Sequence, residues 1–189
     1  MGPHDQHIVI GDGPQPDAAS WMPARDERFN YYEHGPTHDF GNSQRDFAIQ
    51  MARGDFLMFI DDDDAIIPGV LASDIRPALA RAPHDCHVFR MRGHPCRRSL
   101  MLGDLGGSML ICPNVPSKLG RWTLGHIAST QPTPAMAKLE RDMYNYIRDY
   151  TFIRATLSCY DFRPIFHDTE MYIVDPANLK ARNAAPITP

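Results

Sequence analysis

Cysteine is scarce in this chain, and its four copies stand far apart. Cys86, Cys96, Cys112 and Cys159 form no CxxC pair, so neither a zinc centre nor a redox dithiol is expected; buried free thiols in a reducing compartment are. Long apolar runs are missing as well. No stretch reaches the roughly 18 apolar residues of a membrane span, and the first residues carry no apolar signal core, so we expect a cytoplasmic protein without a membrane span. Positive charge is not in excess: 19 Lys and Arg stand against 23 Asp and Glu, net -4. That balance gives no general affinity for a nucleic-acid backbone, and an anionic ligand must be met locally, by a metal ion or a few placed arginines.

What is present is enough apolar material for a folded core, 43% of 189 residues. We expect a single domain over residues 1–175 and a Pro-containing tail over 176–189. The pattern is organised around Arg53 to Pro68, RGDFLMFIDDDDAIIP. Phe56 to Ile60 is an unbroken apolar run of strand length, which suits a strand buried on both faces of a parallel sheet. It stops at Asp61, Asp62, Asp63 and Asp64. Four adjacent carboxylates repel one another, and a hard divalent cation relieves that repulsion. The plainer alternative is a solvated turn with Asp64 capping a helix from Ala65. A buried strand aimed at the cluster favours a metal site that handles a phosphate-bearing substrate, at the sheet edge where open α/β folds bind ligands.

Earlier in the chain, His7 to Ile10 reads as a strand punctuated by Gly11-Asp12-Gly13, placing a second carboxylate, Asp12, at a strand end. A short helix is expected around Ala18 to Met22 and a strand over Phe29 to Tyr32. Gln44 to Arg53 carries Phe47, Ala48, Met51 and Ala52 at helical spacing, with Asn42 or Ser43 as N-cap and Gly54 as C-cap. Arg45 sits in the first turn, where a cation opposes the helix dipole; it is poorly placed for stability and well placed for an anion, the plainer alternative being an exposed surface arginine.

Beyond the acidic cluster, Pro68 to Ala82 reads as a helix that Pro77 kinks or ends, and Cys86 to Met91 as a strand. Arg92, Arg97 and Arg98 lie in a basic loop, either solvated or facing the acidic tip. Ser108 to Cys112 is expected as a strand, preceded by Gly106-Gly107, which would let a ligand approach the backbone. From Ala135 to Leu157 the spacing is helical. Asp149 interrupts it among Tyr146, Ile147, Tyr150, Phe152 and Ile153, a setting that raises a carboxyl pKa unless the group is paired and suits a base; the plainer alternative is a helical residue facing water. Pro164 to Phe166 and Met171 to Val174 read as short strands flanking His167-Asp168.

In this order, IVIGDG followed by GNSQRDFAIQMARGDFLMFIDDDD and then Pro68 resembles the nucleotide-sugar half of the GT-A glycosyltransferases, especially the family 2-like inverting enzymes. Their pattern is a strand ending in D-G, later R-N, A-x-G-D-Y, an apolar strand and D-x-D-D-x-x-x-P. Asp46 stands where that pattern has Asn. Tyr146 to Ile153 resembles the family's acidic helix-start motif, departing at Arg148 and Thr151, and Ile165 to Asp168 resembles the segment that carries a C-terminal metal-binding His. Family members usually open with a further strand and helix, so this chain resembles an N-terminally short, minimal version.

The resemblance implies a Rossmann-like GT-A fold, a central and mostly parallel sheet flanked by helices. It implies an inverting, metal-dependent hexosyltransferase using Mn²⁺ or Mg²⁺ and a UDP-sugar such as UDP-glucose. Asp61 and Asp63 would hold the metal with His167; Asp12, Arg45, Asp61 and Asp62 would bind the donor; and Asp149 would be the base, with Glu140 and Asp142 as neighbouring alternatives. A sugar-phosphate nucleotidyltransferase shares the acidic chemistry but normally has a Gly-rich, Lys-containing N-terminal loop, which is absent. A nucleotide-sugar binder without turnover is the other alternative. The acceptor is not legible.

Overall fold

The computed structural model describes residues 4–17, 26–37, 39, 41–62, 64–94, 96–123 and 147–174. The expected helix at 18–22, the tail at 176–189, and Asp63, Glu140 and Asp142 lie outside them. The apolar His7–Asp12 segment forms β1 and pairs in parallel with β2, Phe29–His34, so that Asp12 stands opposite His34. Helix α1, Asn42–Met51, then packs against β1.

A second sheet has the order β3-β6-β5-β7-β4, from strands Phe56–Met58, Leu110–Pro113, His87–Arg92, Ile165–Val174 and Asp64–Ile66. Only β5 and β7 run parallel within it; β3 with β6, β6 with β5 and β7 with β4 are antiparallel. The expected mostly parallel sheet is therefore corrected to a mixed one. The expected central strand is corrected too. β3 is a three-residue edge strand, Phe59 leaves it to pack on Trp122 and Phe152, and Ile60 is exposed.

The strands sealed on both faces are β5 and β6. Val88 and Leu110 join one apolar cluster while their chain neighbours Phe89 and Ile111 join another, as alternation requires of a sheet covered on both sides. Trp122 and the helix at 147–158, α3, cover the first face: Phe152, Ile153 and Leu157 are buried there. The second face is covered by Val70, Ile75 and Ala78.

Those last residues belong to a helix in two gauges. Leu71–Ile75 is a π turn in which the Arg76 N–H donates to the Leu71 carbonyl, and α2, Arg76–Arg81, follows with Pro77 in its first turn. A proline lacks the N–H and its ring clashes with the carbonyl four residues back, so a widened turn ahead of it lets the chain stay helical instead of ending.

Several boundaries move. α1 starts after Gly41, which takes the left-handed φ of 78° that glycine tolerates, and stops at Ala52 instead of Gly54. Gly107–Met109 is a 3₁₀ turn before β6, and the two short C-terminal strands are one continuous β7. Cys86 and Cys112 are buried free thiols as expected, whereas Cys159 is exposed. Among the described residues no helix is long and apolar enough to cross a membrane.

Candidate functional site

The first turn of α1 collects carboxylates from elements distant in sequence. Its buried residues are Asn42, Gln44 and Asp46 rather than the apolar positions, because its inward side meets polar partners while Phe47 packs on Tyr32 and His34. Gln44 Nε2 donates to Asp12 Oδ1 at 2.7 Å, and the Thr37 N–H donates to the same oxygen at 2.8 Å. Asp39 takes the N–H groups that open the helix, from Asn42 at 3.1 Å and Ser43 at 2.9 Å. Burial pushes the Asp39 carboxyl up, but the Ser43 and Thr37 hydrogen bonds and the Arg148 guanidinium 3.7 Å away hold it below its ordinary value.

Arg45 faces the acidic cluster. Its guanidinium pairs with Asp61 and lies 4.9 Å above the Trp122 ring. This is the arrangement expected of a first-turn arginine placed for an anion, and the anion in hand is a side chain.

Asp149 completes the group from α3. It sits one turn before Phe152 and Ile153 on the face that enters the core, so its side chain is carried inward with them. The Gly107 N–H donates to its Oδ2 at 3.0 Å. Burial pushes its pKa above the ordinary carboxylate value, against the pull of the Gly107 N–H and the Arg45 charge, and Asp61 adds to the rise. The approach at Gly107 is to this residue and to Trp122: a Cβ there would overlap the indole and lie 3.1 Å from Asp149 Oδ1. The expected opening for a ligand at Gly106-Gly107 is filled by the protein itself.

His167 does not join this group. Its Nε2 lies 3.0 Å from Nδ1 of the buried His87, whose other nitrogen is 2.9 Å from the Ala82 carbonyl. A carbonyl only accepts, so His87 donates to it through Nε2, and its Nδ1 shares the second hydrogen bond with His167 Nε2. His167 also stacks on Phe89 at 4.2 Å. Asp64 pairs with Val174, seven residues further along β7, which separates His167 from the acidic turn by roughly 20 Å of extended chain. The basic loop likewise faces elsewhere: Arg92 pairs with Glu170 at 2.7 Å and Arg98 reaches Asp168 at 3.5 Å.

The substitution at Asp46 has a structural account. Its two oxygens accept the Trp122 N–H at 2.9 Å, the Thr123 N–H at 2.9 Å and the Thr123 hydroxyl at 2.5 Å. An asparagine has one carbonyl oxygen and would set its NH₂ against donors. Asp46→Asn is therefore expected to lower unfolding stability by about 2 kcal/mol in urea titration, even though it restores the residue of the pattern. Unchanged stability would show that the carboxylate holds nothing.

Asp12, Arg45, Asp61 and Asp149 thus meet around one helix start, joined by Asp39 and Trp122, which sequence reasoning missed, and by Asp46 and Arg148, which it marked only as departures from the family pattern. The acidic turn offers Asp61, Asp62 and Asp64, oxygen donors of the kind a hard cation takes, although among the described residues no three His, Cys, Asp or Glu side chains are grouped to hold a metal ion. A sequence model of one family, glycosyl transferase family 2, matches residues 2–102, just over half of the chain.

The chain belongs to glycosyl transferase family 2. The matched span holds Asp12, Arg45 and the acidic cluster, and ends before Asp149 and His167. This family 2 chain is also similar in structure to the crystal structure of S. aureus TarS, with a TM-score of 0.56 at 14% identity over 90% of this chain. At that identity the likeness concerns the fold. The chain spans about a third of that structure, 31% of its length. No curated protein matches.

Proposed function

We propose that this family 2 chain is an inverting glycosyltransferase of GT-A type that moves a sugar from a nucleoside diphosphate sugar, UDP-linked in the first instance, to an acceptor hydroxyl. The observation that carries the reading is the meeting of Asp61, Arg45 and the buried Asp149 at one helix start in a chain of this family.

Asp12, at the tip of β1, faces the nucleoside, and Arg45 is within reach of a phosphate once it turns from Asp61. Asp61 and Asp63, with Asp62 and Asp64 beside them, would hold Mn²⁺ or Mg²⁺; His167 is not included, because β7 carries it roughly 20 Å of extended chain away from the acidic turn. When bound, that ion would neutralise the diphosphate and make it a better leaving group. Asp149, ionised, accepts the proton of the acceptor hydroxyl as its oxygen bonds the anomeric carbon from the face opposite the departing diphosphate. The Gly107 N–H keeps Asp149 Oδ2 occupied and so aims the other oxygen.

A thermal-shift panel tests this. UDP-, GDP- and CMP-sugars are each added with and without Mn²⁺, and a UDP-sugar with Mn²⁺ is expected to raise the melting temperature most. At a hundredfold excess over Kd the gain is about 2.7 kcal/mol. Failure of every nucleotide sugar to produce a metal-dependent shift overturns the assignment.

A further inference from the structure

Tyr172 is fully buried on β7, and its hydroxyl has no hydrogen-bond partner among the described residues. An interior O–H left unpaired is destabilising, and phenylalanine would fill the same space without that cost. What the hydroxyl faces gives the reason it is there. Tyr172 stands opposite Ile66 in the β4–β7 pairing, and Asp64 is two residues from Ile66 on the same strand face. The tyrosine is thus the diagonal neighbour of the last carboxylate of the acidic cluster, approaching it from inside the protein. The charges of Asp64, Asp61 and Asp149 all reach the hydroxyl and, after burial, push its pKa further up, so it remains a neutral donor.

We infer that Tyr172 is a positioning residue for the acidic cluster: its O–H is the donor that fixes the Asp64 carboxylate when a divalent cation and a diphosphate are bound. The inference rests on the function proposed above. A carboxylate drawn to a cation uses one oxygen or one lone pair for it, and a buried donor behind the other sets its rotamer. Asp64 lies at the start of β4, where the backbone is held by the Val174 pairing, so what Tyr172 acts on is the side-chain rotamer.

The test is Tyr172→Phe, measured beside the parent in two ways. In the metal-free protein the variant is expected to melt at the same temperature or higher, because an unpaired hydroxyl has been removed. With Mn²⁺ and UDP its binding, read by titration calorimetry, is expected to weaken about tenfold. Combined with Asp64→Asn, the two losses should not add, since both act through one carboxylate. A role in packing alone predicts the opposite pair of results, a lower melting temperature and unchanged binding, and would overturn the inference. Equal binding by variant and parent overturns it as well. Absence of metal-dependent UDP binding in the parent overturns the function proposed above, and this role with it.

Discussion

Asp149→Asn is expected to lower sugar transfer by a factor of 10² to 10⁴ while the donor still binds. A general base contributes about that much, and an amide of the same shape keeps the Gly107 contact but takes no proton. The measurement is initial transfer rate, or donor hydrolysis where no acceptor is known, alongside donor affinity. The pH dependence follows from the direction of the shift. Burial holds the Asp149 pKa above the ordinary carboxylate value, and the group works only when ionised. Parent activity should therefore rise with pH through an apparent pKa above that of a free aspartate, and the residual activity of the variant should lose that limb. Full activity in the variant would remove Asp149 from the chemistry.

Trp122→Ala is expected to be the most destabilising single change in the described core. The indole is fully buried, stacks on Phe152 at 4.3 Å and meets Phe59 edge-on at 5.0 Å. Truncating a buried aromatic of this size costs about 3–5 kcal/mol, roughly 6–20 °C in a chain of this length. The loss also reaches the site, because the same ring supports Arg45 and closes the space over Gly107. Trp122→Phe should recover part of the stability. A melting temperature within 2 °C of the parent, on the order of the effect of a surface change, would show that the cavity collapses around the lost ring.

The elements with strong local signals were legible before the fold was known. β1, α1 and β5 each form within one or two residues of where their runs begin and end, although α1 buries Asn42, Gln44 and Asp46 instead of its apolar positions. Sheet order was not. An apolar run of five reads the same whether it lies between two strands or, like Phe56 to Ile60, forms three residues of an edge before turning inward at Phe59. Asp149 was legible because its neighbours in sequence are also its neighbours on a helix face. His167 was misplaced for the converse reason: what decides its role is His87, eighty residues away, and no local pattern reports that. Asp46 drew notice only as a departure, and its partners at Trp122 and Thr123 required the fold.

Arg45 and Asp46 are consecutive, yet they hold opposite partners: one reaches Asp61 after β3, the other the backbone of residues 122 and 123. The acidic turn and residues 122 and 123 thus share one anchor, a single peptide unit of α1, and the guanidinium that meets Asp61 also lies over the indole.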